Sequence, residues 1–392
     1  MTPSARVQAA IEILDLCVAS AREDGPPADA IVSHYFKTRR YAGSKDRRAV
    51  RELVFRAIRR AGEPPADGRS AMVGLAGDDP GLAALFDGAP HAPRPIGEGE
   101  TGAVARLLPP WLEGELSPLV TAEEWPALLE RAPLDLRVNI ARTSRDAMLS
   151  AFAGSVPTPL SPWGIRLPAD SRVDQHPAFL DGKIEVQDEG SQLIALACTP
   201  GPRHRIVDLC AGAGGKALAL AAAAQDAEIL ACDTNRARLG KLPPRAERAG
   251  ASIAVRLLDG GREAAQMADW NGQADVVLVD APCSGSGTWR RNPEGRWRLT
   301  PGRLDRVAAL QARLLDLAAP LVKPGGTLVY AVCSILAREG AGQVEAFLGR
   351  HSSWAMHDVP DSFGRSDGGG RLLTPRHDGT DGFFVARLLR SC

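Results

Sequence analysis

Apolar residues in the first sixty positions recur at three- and four-residue intervals. Val7, Ile11, Leu14 and Val18 fall on one helical face, and Val50, Leu53, Val54, Phe55 and Ile58 on another. This is the spacing of helices that bury one side. From Gly62 to about Pro110 the periodicity lapses. The runs EPPADG and APHAPRPIGEGETG read as linkers around one short apolar helix near residues 82–86. Helical spacing returns with Trp111, Leu112, Leu119 and Trp125. A small mixed segment follows, with a strand over 134–140, a helix over 144–152 opened by Ser144 as N-cap, and a strand over 163–167.

From about Gln187 the pattern alternates. Short Val- and Leu-rich runs at 205–209, 228–233, 252–258, 274–280 and 326–332 read as strands, with helical runs between them. A glycine turn at 323–326 precedes the last, and further strands are expected near 353–359 and 383–389. Buried strands alternating with helices predict an α/β fold with a doubly wound parallel sheet. Such sheets bind ligands at the carboxyl ends of their strands. Chemistry is therefore expected just beyond Leu209, Asp233, Leu258, Asp280 and Val332. There is no internal repeat.

The length of 392 residues suits two or three domains at roughly 100–200 residues each. An apolar share of 44% is enough to build their cores. No stretch approaches the ~20 uncharged apolar residues of a membrane span. Glu12 and Asp15 interrupt the first apolar face, against a signal peptide. The seven cysteines are odd in number, scattered and never paired as CxxC. That excludes a disulfide framework and a structural zinc site, and points to a reducing compartment, the cytoplasm. Net charge is zero, but its distribution is uneven. Lys37, Arg39, Arg40, Lys45, Arg47, Arg48, Arg51, Arg56, Arg59 and Arg60 crowd one stretch; Arg290, Arg291, Arg296, Arg298, Arg303 and Arg306 crowd another. Such patches on a neutral chain suit a polyanion.

Small residues follow the first strand of the alternating region, in Cys210, Ala211, Gly212, Ala213, Gly214 and Gly215, and Lys216 then opens a helix. Backbone N–H groups at such a turn can approach a ligand closely. The spacing is not that of a phosphate-binding P-loop. Asp233, Asp259 and Asp280 end the next three strands. Asp233 is placed to accept both hydroxyls of a ribose and Asp259 to accept an adenine amino group. A ladder of carboxylates fits an adenosine ligand without phosphates better than a dinucleotide.

Two cysteines stand at adjacent strand ends, Cys283 in DAPCSGSG after the fourth strand and Cys333 in YAVCSI after the fifth. A thiolate can add to C6 of a cytosine and turn C5 into a nucleophile. Asp280 could assist at N3, and Lys216 could favour the thiolate. Directly after Cys283, TWRRNPEGRWR interleaves Arg290, Arg291, Arg296 and Arg298 with Trp289 and Trp297. That mixture suits phosphate contacts and base stacking on single-stranded RNA. Thr300 and Pro301 then open a helix with Leu304, Val307, Leu310, Leu314 and Leu317 on its apolar face.

Together these motifs resemble the RsmB/Sun (Fmu) group of RNA 5-methylcytosine methyltransferases. DLCAGAGGK is similar to that family's DxCAAPGGK loop, DAPCSGSG to its DxPCSGxG motif, and CSI to its TCSxx motif. RVN at 137–139, VQDEGSQLIA at 186–195 and DGFFVARL at 381–388 are similar to its lead-in and closing segments. The run GSKDRRAVRELVFRAIRR at 43–60 is similar to a NusB-like RNA-binding domain. Departures are Gly212 for Ala, Ala213 for Pro, Ala217 for Thr, and Val332 for the Thr before the nucleophile.

The resemblance implies a class I, Rossmann-like methyltransferase domain over 187–392. Before it come a small α/β lead-in over 129–186, a linker and helical segment over 91–128, and a helical NusB-like domain over 1–90. It implies S-adenosylmethionine as cofactor, Cys333 as nucleophile and Cys283 as an aid to product release, with Asp280 and Lys216 assisting. Expected cofactor contacts are the Cys210–Lys216 loop with Asp233, Arg238, Asp259 and Asp280. Expected RNA contacts are Arg47, Arg48, Arg290, Arg291, Arg296 and Arg298. The expected substrate is RNA, with 16S rRNA foremost, taken by a monomer without metal or membrane partner. Two other readings are a DNA cytosine methyltransferase attacking through Cys283 and an rRNA-binding assembly factor that has lost catalysis.

Overall fold

The computed structural model describes residues 1–23, 25–168 and 171–392. It divides into two compact units. The first comprises Met1–Glu115, Trp125–Glu130 and Thr288–Pro301; the second holds the rest.

In the first unit, helices α1 (Pro3–Arg22), α2 (Ala28–Lys37), α3 (Ser44–Arg60) and α4 (Gly68–Gly77) surround one core. Thr2 caps α1, its Oγ1 accepting from Ala5 N at 3.1 Å, and Pro3 follows at the first helical position. The periodic residues Val7, Ile11, Leu14 and Val18 of α1 and Val50, Val54 and Ile58 of α3 are all buried. The stretch expected to be linker contains α4. Three glycines in GRSAMVGLAG disguise this helix, and Gly68 has a packing reason. A Cβ there would lie 2.2 Å from the carbonyl oxygen of Ile11, so glycine lets α4 meet α1 backbone to backbone. The expected short helix is present at Pro80–Ala83. The stretch around Trp111 and Trp125 forms two 3₁₀ turns, Pro110–Glu115 and Pro126–Leu128, rather than an α-helix. Pro109, Pro110, Pro118 and Pro126 deny it the backbone donors a longer helix needs.

In the second unit, strands β1 (Leu134–Val138), β2 (Val156–Pro157), β3 (Gly164–Leu167) and β4 (Ile184–Val186) form a small antiparallel sheet in the order β2-β3-β1-β4. The expected helix lies at Arg145–Ala151, and Ser144 Oγ accepts from Ala147 N at 3.2 Å. Then come β5 (Arg205–Asp208), β6 (Glu228–Asp233), β7 (Ala254–Leu257), β8 (Ala274–Asp280) and β9 (Val322–Val332). They are followed by β10 (Trp354–His357), β11 (Arg365–Asp367), β12 (Gly370–Leu373) and β13 (Phe383–Arg390). Among the described residues these nine form one sheet in the order β11-β12-β13-β9-β8-β5-β6-β7, with β10 also on β13.

β5 to β9 pair in parallel and β10 to β13 antiparallel. The parallel half is the expected Rossmann-like sheet. Its order reverses between β5 and β8, which opens a crevice at their carboxyl ends. Residues 323–326, expected as a turn, lie inside β9. The pairing of β8 with β9 jumps there, from Ala274↔Val322 to Val276↔Thr327, and Gly325 takes φ +73. The glycines are absorbed as a bulge.

Candidate active site

A cavity of about 480 Å³ opens at that crevice. Its lining includes Leu209, Cys210, Asp233, Leu258 and Asp280 from the ends of β5 to β8, and Cys283 and Cys333. Leu310, Leu314 and Leu317 supply an apolar wall from the helix Pro301–Ala318, three residues of the face expected from spacing.

The loop after β5 is shaped by glycine. Gly212 and Gly214 have φ +55 and +84, and a Cβ on Gly214 would fall 2.1 Å from Leu242 Cδ1. Asp233 holds this loop, accepting from Gly212 N and Asn235 N at 2.7 Å each. Arg245 Nη1 donates to Ala213 O and Arg137 Nη1 to Gly215 O, both at 2.5 Å. Two guanidiniums thus clamp the loop's carbonyls. Arg137 belongs to the RVN run on β1, so the lead-in sheet braces the loop after β5 directly. The turn then opens the helix Gly215–Ala223. Its small residues, the strand-end carboxylate of Asp233 and the apolar wall suit an adenosine-bearing ligand. Arg238 lines the same cavity, its guanidinium 2.4 Å from where a Cβ on Gly212 would sit. Asp259 does not line it. Asp259 is exposed, and its Oδ2 accepts from Gln266 Nε2 at 3.2 Å.

Lys216 Nζ donates to Asp280 Oδ2 at 2.6 Å. Burial alone would lower the ammonium's pKa, but the charge and hydrogen bond of Asp280, with Cys333 and Asp208, raise it above the ordinary lysine value. The sulfurs of Cys283 and Cys333 lie 3.3 Å apart. The hydrogen bond to Cys333, then burial, pushes the Cys283 thiol well above the usual range. The structure thus gathers Cys210, Asp233, Arg238, Asp280, Cys283 and Cys333 around one cavity, with Lys216 bonded to Asp280.

Other expected contacts lie elsewhere. In the first unit Trp289 and Trp297 are buried, so neither can stack on a base. Trp297 sits in the helical core and donates Nε1–H to Ala61 O at 2.7 Å. Arg296 is 1% exposed. It donates to the carbonyls of Ile58 and Leu107. Arg298 donates to Gly25 O and Pro26 O at 2.6 and 2.7 Å. Arg290 is buried as well. The helical end of α3 leaves carbonyls without intrahelical donors. Arg296 and Trp297 cap them, so Arg296, Arg298 and Trp297 serve packing, while Arg291 is half-buried. Arg47 and Arg48 on α3 are exposed. Sequence reasoning missed Arg137 and Arg245. Their spacing carries no signal, because each acts on backbone brought from distant parts of the chain.

Residues 195–389 match the family model described as 16S rRNA methyltransferase RsmB/F. The ribosomal RNA small subunit methyltransferase B of Salmonella arizonae is 35% identical over 303 residues, which is 75% of this chain and 69% of that protein. Among solved structures, PH0851 aligns over 99% of both chains with a TM-score of 0.77 at 24% identity, a likeness of fold. A methyltransferase homologue from Pyrococcus horikoshii aligns over 70% of this chain and 92% of that one, with a TM-score of 0.59 and 25% identity. With the cysteine pair, the glycine-shaped loop and the strand-end carboxylates in place, the chain belongs to the RsmB/F family of rRNA methyltransferases.

Proposed function

We propose that this family member methylates C5 of a cytosine in RNA through a covalent bond between Cys333 and C6, with 16S rRNA as the substrate. S-adenosylmethionine is the methyl donor; it supplies an electrophilic methyl group beside the cysteine pair. The observation that carries the reading is two thiols 3.3 Å apart in a cavity also lined by Asp233 and Asp280. Methyl transfer to an oxygen or an amino nitrogen needs no thiol, whereas C5 of a cytosine becomes nucleophilic only after a nucleophile adds at C6.

Cys333 as thiolate forms the S–C6 bond, and the C5=C6 electron pair moves toward N3. N3 takes up a proton from the Lys216 ammonium, relayed through the Asp280 carboxylate to which it is bonded. C5 takes the methyl group as the donor's S–CH3 bond breaks, the donor leaving as a neutral thioether, and C5 then loses its proton to solvent. N3 returns its proton, the double bond re-forms and the S–C6 bond breaks. The thiol of Cys283, in contact with the departing sulfur, protonates it.

The RNA is proposed to run over the α2–α3 loop and α3 of the helical unit. Lys37, Arg40, Lys45, Arg47 and Arg48 are exposed there, and Tyr41 among them is 73% exposed. An exposed ring amid cations suits an unpaired base and its phosphates. An rRNA substrate also fits action in the cytoplasm by a single chain.

The test separates the two cysteines. Cys333→Ala is expected to abolish methylation and leave no adduct. Cys283→Ala is expected to attack and methylate but release slowly, giving a slow-migrating protein–RNA band on a denaturing gel. A DNA-type enzyme would show the reverse, with the trapped band only in Cys333→Ala, and that pattern would overturn the assignment.

A further inference from the structure

Both cysteine loops are tied to one carboxylate outside the motifs. Glu339 is fully buried. Its Oε1 accepts from Ser284 N and from Gln311 Nε2, both at 2.8 Å, and its Oε2 accepts from the Ser334 hydroxyl at 2.6 Å. Ser284 follows Cys283 and Ser334 follows Cys333, so each of these bonds lands one residue beyond a thiol. Gln311 also donates to Pro282 O at 3.0 Å, which brackets Cys283 from its other side. Ser286 joins the loops again, bonding Ser334 Oγ and Ile335 N at 3.0 Å each. Tyr330 donates its hydroxyl to Glu339 O at 2.6 Å. All three bonds to the carboxylate come from donors, which suits the ionised form, an acceptor only. Among the described residues no cation pairs with it.

We propose that Glu339 is a positioning residue, which sets the two thiols in register through Ser284, Gln311 and Ser334 and keeps the proton they share on Cys283, leaving Cys333 the thiolate. The charges around the pair are lopsided. The Lys216 ammonium and the Cys333 sulfur attract each other. On the other side the Glu339 charge disfavours a thiolate at Cys283. Other titratable groups of the cluster are Asp280, neutralised by Lys216, the buried Asp208 and Cys210, both pushed up by burial, and Tyr330, whose burial raises its phenol well above the usual range. Lys216 favours negative charge at Cys333 and Glu339 opposes it at Cys283, which leaves the pair one favoured arrangement of a single proton.

The experiment is iodoacetamide labelling of the full-length protein across pH under single-hit conditions, with each cysteine quantified by mass spectrometry. In the unsubstituted chain Cys333 is expected to label at lower pH than Cys283. Glu339→Gln keeps the shape and removes the charge. It should move the Cys283 midpoint down by about half a pH unit or more, about threefold in labelling at a fixed pH. Glu339→Ala removes the tie as well and should lower kcat for methylation further than Glu339→Gln. S-adenosylmethionine affinity, measured by calorimetry, should hold in both variants and shows that they fold. Unchanged Cys283 labelling in folded Glu339→Gln, or Cys283 labelling before Cys333 in the unsubstituted chain, would overturn the proposal. It rests on the C5 reading only for its consequence. The labelling needs no RNA, so a chain found to methylate another atom would sink that reading and leave the labelling result standing.

Discussion

At the scale of single residues, Asp233 does two jobs with one carboxylate. It accepts from Gly212 N and Asn235 N, which shapes the loop after β5, and it lines the cavity, where we propose that it holds a ribose. Charge-assisted hydrogen bonds contribute about 1.5–3 kcal/mol each. Asp233→Ala should therefore weaken S-adenosylmethionine binding at least about tenfold, since ~1.4 kcal/mol is a factor of ten. Calorimetry that finds the affinity unchanged would remove Asp233 from the site. Its place at the cavity was readable from its position at a strand end, whereas the exposed position of Asp259 was not. Both end a strand-like run; only the path of the chain beyond β7 decides which of them borders the cavity.

Among the elements, the Thr288–Pro301 segment departs most from its sequence neighbours. It leaves the cysteine motif and becomes part of the helical unit, capping α3 with Arg296 and filling its core with Trp297. Trp297→Ala should cost about 3 kcal/mol or more, the range for emptying a buried aromatic site, measured by chemical denaturation. A loss within the few tenths typical of surface substitutions would mean the ring is not packed as described. The exposed face of α3 makes the opposite prediction. Lys45→Ala and Arg48→Ala should leave stability nearly unchanged and lower the slope of RNA affinity against salt by about one each. An unaltered slope would take the patch off the RNA path. Arginine and tryptophan interleaved in sequence look alike whether they meet a phosphate or a helix end, because either offers oxygen acceptors and an apolar surface.

For the whole molecule, the buried carboxyl of Asp208 ties stability to pH. Its oxygens are buried, with no more than a weak contact to the Cys210 backbone N–H. Burial, then the nearby Asp280, pushes its pKa up to about 7. The folded chain thus keeps a proton that the unfolded chain gives up near pH ~4. Between these values the folded state binds more protons, so stability falls as pH rises through that window and stays lower above it. Asp208→Asn should remove this loss and raise the melting temperature more at pH 8 than at pH 5. Equal shifts at the two pH values would show that Asp208 is not the titrating group. The substitution isolates one contribution among the charges of Asp280, Lys216 and Asp233 in the same cluster.

The sequence by itself determined the elements whose signals are local. Helical spacing located α1 and α3, the runs at 228–233 and 274–280 are strands with those bounds, and the motifs after the strands placed the loop, Asp233, Asp280 and both cysteines at one sheet edge. Such signals survive because periodicity and strand-to-turn chemistry are written within about a dozen residues. The tertiary structure alone decided α4 against a linker, the bulge inside β9 against a turn, and Arg296 and Trp297 against RNA contacts. It also found Arg137 and Arg245 clamping the loop after β5 and Glu339 tying the cysteine loops. A buried polar side chain takes its role from the backbone atom it satisfies. That atom reaches it from elsewhere in the chain only when the fold closes.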